Sequence, residues 1–304
     1  MAYAVLFPGQ GSQFVGMADP WASHPAGQAV LEEASTALGR SIEDGCRDED
    51  ALRTTAFVQP ALLACDVAAF RVLQAEGLAD VVGVAGHSLG EFAALVAADA
   101  VALSDALELV LVRGAAMQRA GEERPGAMTA LLGVGAEETE ALCAEVRGAD
   151  ELVVANRNSP AQSVVSGSVP AIERLEAAAK ERKTRAVRLQ VAGAFHSELM
   201  RPAVQPVLDA LERIEIRDPV LPIAENVTGE LVTETTRLRE LLGRQVVSPV
   251  SWETGIRNLA AAGATTFLEA GPGEVLTKLM KRIDPGPAAI AISDPEAART
   301  GLNA

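Results

Sequence analysis

The chain has 304 residues, 49% of them hydrophobic and 22% charged, a balance that fits one large folded domain or two unequal ones. A net charge of −15, from 26 basic and 41 acidic residues, excludes a general attraction to nucleic acid or anionic lipid, so an anionic partner would need a local basic patch. The 3 cysteines, Cys46, Cys65 and Cys143, form no C-x-x-C pair and the 3 histidines have no metal-ligand spacing, which points to buried thiols in a reducing cytoplasm and to no metal site.

The opening M-A-Y-A-V-L-F-P-G-Q is apolar but short, with neither a basic start nor a cleavage-like site, so it does not read as a signal peptide. Residues 2–7 predict a buried strand that stops at Pro8-Gly9, residues 58–76 a helix, and residues 81–86 a second buried strand. Another helix is expected from about Leu89 to Ala98. The most apolar region, Phe92 to Val112, carries Asp99, Asp105 and Glu108, which argues against a membrane span.

The middle of the chain changes character. Met128–Val134 predicts a strand, Glu137–Val146 a helix and Leu152–Ala155 a strand, followed by a turn at N-R-N-S-P. Gln162–Ser166 then predicts a strand, Val169–Arg182 a helix and Ala186–Val191 a strand. The order β-α-β-β-α-β is that of a ferredoxin-like unit. Alternation resumes with Ser197–Glu212 helical, Ala264–Glu269 strand, Glu274–Arg282 helix and Ala288–Ile292 strand, and the last ten residues are expected to fray. The architecture expected is an α/β domain, residues 1–126 and 196–304, interrupted by a small α+β insertion at 127–195, with the substrate cleft between them.

G-H-S-L-G (Gly86–Gly90), after a strand and before a helix, has the form of a nucleophile elbow: the glycines let strand and helix approach, and Ser88 is thrown into an exposed turn. The backbone N–H of Leu89 would be one oxyanion donor. Ser88 needs a base. His24 lies in a helix-breaking turn and is expected to be exposed, and His87 points away from its neighbour, which leaves His196 in G-A-F-H-S, where the insertion rejoins the large domain. No acid between Ser88 and His196 sits in a recognisable strand-end setting, and a backbone carbonyl on the imidazole Nδ1–H would fix the tautomer equally well. Arg113, in the apolar helical run L-V-L-V-R-G-A-A-M-Q, must find an anion, either a local acid in a structural ion pair or a substrate carboxylate in a bidentate clamp.

Together these motifs resemble the malonyl-CoA:acyl carrier protein transacylases, the acyltransferase family of fatty acid and polyketide synthesis. The resemblance runs from about residue 3 to 293 through F-P-G-Q-G-S-Q (Phe7–Gln13), V-Q-P-A-L-L (Val58–Leu63), the elbow, R-G-A-A-M-Q (Arg113–Gln118), N-S-P-A-Q (Asn158–Gln162), A-F-H-S (Ala194–Ser197) and E-A-G-P-G-E-V-L (Glu269–Leu276). It implies an α/β-hydrolase-like core with a ferredoxin-like subdomain, Ser88 as acylated nucleophile and His196 as base. It further implies Arg113 on the malonyl carboxylate, and backbone N–H groups of Gln10 and Leu89 as oxyanion hole. The histidine would be oriented by a main-chain carbonyl from S-P-V-S-W (Ser248–Trp252); Ser251, at a position where many members carry Gln, counts with Arg113 and Phe195 as substrate-binding.

A-F-H-S resembles the malonyl-preferring type, and Phe195 beside the base would fill the space an α-methyl needs. The implied reaction is a ping-pong transfer from malonyl-CoA to the phosphopantetheine thiol of an acyl carrier protein, without a cofactor of the enzyme's own. Carrier proteins of this kind are acidic, so docking needs local positive charge, from Lys180, Arg182, Lys183, Arg185 and Arg188 or from Lys278, Lys281 and Arg282. The rival readings are a serine esterase or thioesterase, an acyltransferase of other acyl-CoA specificity acting in trans on a polyketide synthase, and a non-catalytic carrier-binding protein.

Overall fold

The computed structural model describes residues 1–284 and 286–303. Among the described residues ten strands form two sheets: β1 (Tyr3–Phe7), β2 (Val81–Gly86), β3 (Gly126–Leu132), β4 (Leu152–Ser159), β5 (Gln162–Ser168), β6 (Arg185–Arg188), β7 (Ile223–Ala224), β8 (Leu231–Val232), β9 (Thr266–Ala270) and β10 (Ala288–Ile292). The first sheet has the order β10-β9-β1-β2-β7-β8, parallel except for the β7–β8 pair.

Strand β1 is buried along its whole length because both faces are covered. Tyr3, Val5 and Phe7 enter a core with the helices Pro25–Leu38, Thr55–Ala75, Gly90–Ala97 and Leu103–Glu123. Ala4 and Leu6 enter a second core with the helices Trp252–Ala261 and Val275–Ile283. A continuous apolar run with period-2 partition is what a central parallel strand requires. The helix Thr55–Ala75 is long and apolar enough to cross a membrane, yet 89% of its most apolar window is buried in this fold. An all-round apolar helix of this kind is a core helix.

The second sheet has the order β4-β5-β3-β6, all antiparallel, with the helices Ala136–Val146 and Val169–Glu181 between its strands in the sequence. This is the ferredoxin-like unit, set into an α/β-hydrolase-like core. Leu131, Leu152 and Val165 pack under those two helices, while Met128, Ala130 and Val164 face Ala116, Met117 and Phe195. The small sheet thus puts one wall against the helix that carries Arg113. A short parallel bridge also joins the sheet to the segment before Trp252: Arg157 N donates to Val250 O (2.9 Å) and Val250 N to Ala155 O (2.8 Å).

Three local expectations are corrected. Asn156–Ser159 is not a turn but the end of β4, and the reversal is confined to Pro160-Ala161. The last small-sheet strand stops at Arg188 rather than running to Val191, which frees Leu189–Val191 to line cavities. Residues 295–303 do not fray. Asp294 caps a helix over Pro295–Gly301 by accepting from Ala297 N (2.8 Å), Ala298 is buried, and Tyr3 Oη donates to Leu302 O (3.1 Å). Pro at the first helical position behind an Asp cap is the signal that marks this start.

Close packing at the C-terminal ends of the central strands β1 and β2 places the elbow. Phe7 pairs with Gly86, and His87 N donates to Phe7 O (2.9 Å), so the ends of β1 and β2 deliver Gln10 and Ser88 side by side. A Cβ on Gly90 would lie 2.1 Å from Phe7 O, and one on Gly86 would lie 1.9 Å from Gly90 C. Gly90→Ala is therefore expected to lower the unfolding free energy by about 3 kcal/mol, the upper end of overpacking costs. Urea unfolding measures this, and an unchanged midpoint would show that the strand and helix can part to admit a methyl.

Candidate active site

Ser88 sits between β2 and the helix Gly90–Ala97 with φ = 53°, and His196 has φ = 58°. Left-handed backbone at non-glycine residues is costly and persists only where the surroundings hold it. At Ser88 they do: its N–H donates to Asn226 Oδ1 (2.7 Å), Asn226 Nδ2 donates to Gly86 O (2.7 Å), and Gln245 Nε2 donates to Ser88 O (3.0 Å).

Ser88 Oγ lies 2.8 Å from His196 Nε2. His196 Nδ1 lies 3.0 Å from both Gln245 O and Ser248 O. Two carbonyls accept only, so Nδ1 carries the proton and Nε2 presents its lone pair to the serine. The expected main-chain orientation of the base is present, with one carbonyl from the anticipated segment and one from just before it. Burial first, then the Arg113 charge, pushes the His196 imidazole down to about 3, against the pull of the two carbonyls. The ring is neutral at any ordinary pH.

Arg113 is 1% exposed at the middle of the helix Leu103–Glu123. Its Nη1 donates to Gln59 Oε1 (2.7 Å), its Nε (3.2 Å) and Nη2 (2.9 Å) to Gln245 Oε1, and Nη2 also to Ser88 Oγ (3.2 Å). The Phe92 ring centroid is 5.4 Å from Cζ. Among the described residues no carboxylate forms an ion pair with it, so the structural ion-pair alternative does not hold. Burial lowers its pKa to about 10, opposed by Glu91, and the guanidinium stays charged.

Arg113, Ser88, His196, Gln10, Leu89 and Phe195 line one cavity of 70 Å³, closed by Gln59, Met117, Met128 and Asn156 among others. That is roughly two water volumes, room for a short polar group and not for a long chain. Neither the Gln10 nor the Leu89 backbone N–H has a protein acceptor among the described residues. Through Gln10, Leu189 and Val191 this cavity adjoins a wider one of 630 Å³ that Arg53 and Arg188 also line.

Ser251 is not part of this constellation. Its Oγ donates to Val227 O (3.0 Å) and its N to Asn226 O (2.7 Å), which commits the residue to the turn before the helix Trp252–Ala261. The glutamine side chain from this part of the chain that reaches the site is Gln245, three residues before Ser248. His24 is half-buried rather than exposed, because its Nδ1 caps the helix Pro25–Leu38 by accepting from Ala26 N (3.2 Å). His87 faces away from Ser88, with Nε2 2.9 Å from Asn158 Oδ1 and its ring against Trp252.

Four residues of the site carried no role in the sequence reading: Gln59, Glu91, Asn226 and Gln245. Glu91 follows the elbow directly and Gln59 lies within V-Q-P-A-L-L, so position offered a signal for both. Asn226, in the turn between β7 and β8, and Gln245, on the 3₁₀ turn Gln245–Val247, have no local signal. Buried Glu91 accepts from Asn226 N (3.0 Å) on Oε1 and from Gln245 Nε2 on Oε2. Burial, reinforced by Glu225, pushes its carboxyl well above the usual carboxylate range, while Gln245, Asn226 and Arg113 draw it back.

The chain belongs to the acyl transferase family, whose domain model matches residues 5–285. It is 41% identical over 300 residues to the malonyl CoA-acyl carrier protein transacylase of Bacillus subtilis, covering 96% of this chain and 94% of that protein. The solved malonyl CoA-acyl carrier protein transacylase of Coxiella burnetii superposes with a TM-score of 0.96 at 35% identity, covering 100% of this chain and 97% of that one. A malonyl-transacylase solved in complex with its type II PKS acyl-carrier protein superposes with a TM-score of 0.95 at 37% identity, covering 100% of this chain and 99% of that chain.

The buried, neutral His196 sets a pH expectation. Labelling of Ser88 by a fluorophosphonate should hold its rate well below pH 6.5, the ordinary imidazole midpoint, since the ring takes up its proton only at lower pH. A rate that falls with its midpoint at 6.5 would show His196 titrating as a solvated imidazole.

Proposed function

We propose that this enzyme moves a malonyl group from malonyl-CoA to the phosphopantetheine thiol of an acyl carrier protein, through a malonyl ester on Ser88, in fatty acid or polyketide synthesis in the cytoplasm. The observation that carries this reading is Arg113: a buried, charged guanidinium with no acid partner among the described residues, one Nη2 hydrogen bond from the Ser88 hydroxyl. A substrate acyl group with its own carboxylate supplies the missing charge.

In the first half-reaction His196 Nε2 takes the proton of Ser88 Oγ as the oxygen attacks the thioester carbonyl. The backbone N–H groups of Gln10 and Leu89 hold the oxyanion, the C–S bond breaks, and the proton passes from His196 to the CoA thiolate. In the second, His196 takes the proton of the carrier thiol, sulfur attacks the malonyl ester, and Ser88 recovers its proton. Nδ1 stays on the Gln245 and Ser248 carbonyls throughout, so no triad acid is needed. Phe195, buried in the pocket wall beside Met117 and Met128, limits room for an α-methyl, and one methyl is worth only about 1–3 kcal/mol of discrimination. No cofactor enters this chemistry.

Incubation with malonyl-CoA should place a malonyl adduct on the Ser88 peptide, and acyl carrier protein should then remove it as malonyl-carrier, both read by mass spectrometry. No adduct overturns the reading, and an adduct that only hydrolyses marks an esterase. Arg113→Ala should cut kcat/KM for malonyl-CoA by roughly 10³-fold, the cost of unpairing a buried charge, while acetyl transfer is kept. Equal loss for both acyl groups would make Arg113 structural.

For the carrier, the small unit offers Lys180, Lys183 and Arg185, which have no acid partner among the described residues and border one surface groove. Arg182 is paired with Glu145, Arg188 with Glu176 and Lys278 with Glu274. Lys183→Glu with Arg185→Glu should raise the KM for carrier protein several-fold and spare self-acylation, because complementary rim charge acts on encounter. An unchanged KM would exclude this groove.

A further inference from the structure

The malonyl reading rests on a guanidinium held charged, uncompensated and correctly aimed inside an apolar core. The hydrogen bonds around it show what does this. Gln245 Oε1 accepts from Arg113 Nε and Nη2, so the Gln245 amide must point its oxygen at Arg113 and its nitrogen the other way. On that far side Nε2 donates to Glu91 Oε2 and to Ser88 O. The other Glu91 oxygen is taken by the Asn226 backbone N–H, which cannot turn round. Both Glu91 oxygens therefore act as acceptors toward these two donors.

We propose that Glu91 is the positioning residue for acyl-group selection: it fixes the orientation of the Gln245 amide, and so presents Arg113 to a substrate carboxylate. This deepens the malonyl-transfer reading and rests on it. Gln59 and Gln245 hold the guanidinium through neutral oxygens, which orient it without cancelling its charge. Of its five N–H bonds, one on Nη1 has no protein acceptor among the described residues, and one on Nη2 faces Ser88 Oγ. Those two form the edge that an acyl carboxylate beside Ser88 would take. Glu91 stays out of contact with Arg113, so no carboxylate among the described residues occupies the guanidinium.

The isosteric change Glu91→Gln separates this from a packing role. A Gln side chain has one acceptor oxygen. The fixed Asn226 N–H claims it, which turns the new NH₂ toward Gln245. Gln245 must then reverse, present its oxygen to residue 91 and its NH₂ to Arg113. Two donors would face each other, and Arg113 would be displaced from its edge-on aim.

The test measures kcat and KM for malonyl-CoA and for acetyl-CoA with acyl carrier protein as acceptor, with thermal unfolding as the check on folding. Glu91→Gln is expected to raise the malonyl-CoA KM and lower the malonyl-to-acetyl preference by at least about tenfold, the scale of a hydrogen bond to a charged group. A folded Glu91→Gln enzyme that keeps its preference, or loses both substrates equally, overturns the proposal. Should Glu91→Gln fail to fold, the pair Glu91→Gln with Gln245→Glu carries the test. It conserves net charge but moves the carboxylate into contact with Arg113, so malonyl preference must fall in the same way, and a retained preference overturns the proposal. Failure of the function itself is seen separately, as a parent enzyme that forms no malonyl-Ser88.

Discussion

The structure depends on one uncompensated charge. Arg113 is buried at the centre of a core built from alanine, valine and leucine, and among the described residues no carboxylate touches it. An isolated buried ion is costly unless its donors are satisfied, and here the satisfaction comes from the oxygens of Gln59, Gln245 and Ser88. Those three residues come from distant parts of the chain: a core helix, a 3₁₀ turn and the elbow. Holding one guanidinium in this way ties the two halves of the large domain to the nucleophile.

The same parts serve more than one purpose. Gln245 accepts from Arg113 with its side chain, accepts from His196 with its main chain, and donates to the carbonyl of Ser88. Asn226 closes the elbow from the opposite side. The strained backbone at Ser88 is thus fixed by hydrogen bonds outside the dyad, and the His196 ring by two carbonyls, which is how a small site keeps its atoms within a fraction of an ångström.

Much of this was legible in the residues. Tyr3–Phe7 and Val81–Gly86 declared themselves as buried strands by apolar runs stopped at glycine, and the β-α-β-β-α-β order showed in the alternation over roughly 127–195, of which the strands and helices occupy 126–188. Ser88 had its elbow, and His196 followed by elimination. Ser251 was misplaced because a serine next to Pro-Val and Trp sits equally well at a helix start, where it lies, with its hydroxyl spent on Val227. Gln245 and Asn226 were invisible because their roles come from three-dimensional neighbours across more than a hundred residues, and neither a turn nor a 3₁₀ segment carries periodicity. The tail was misjudged because a cap and one buried alanine suffice to dock a two-turn helix against β10 and the core.

The bridge between Val250 and the strand Leu152–Ser159 gives the small sheet a mechanical standing. Val250 lies two residues past Ser248, whose carbonyl steadies the imidazole, and is fastened to Ala155 and Arg157 by two main-chain hydrogen bonds. The small sheet is therefore riveted to the base rather than hung beside it. A sliding motion between the two sheets would be geared into the tilt of His196, so the rigidity of the whole cleft and the aim of one proton acceptor are a single mechanical property.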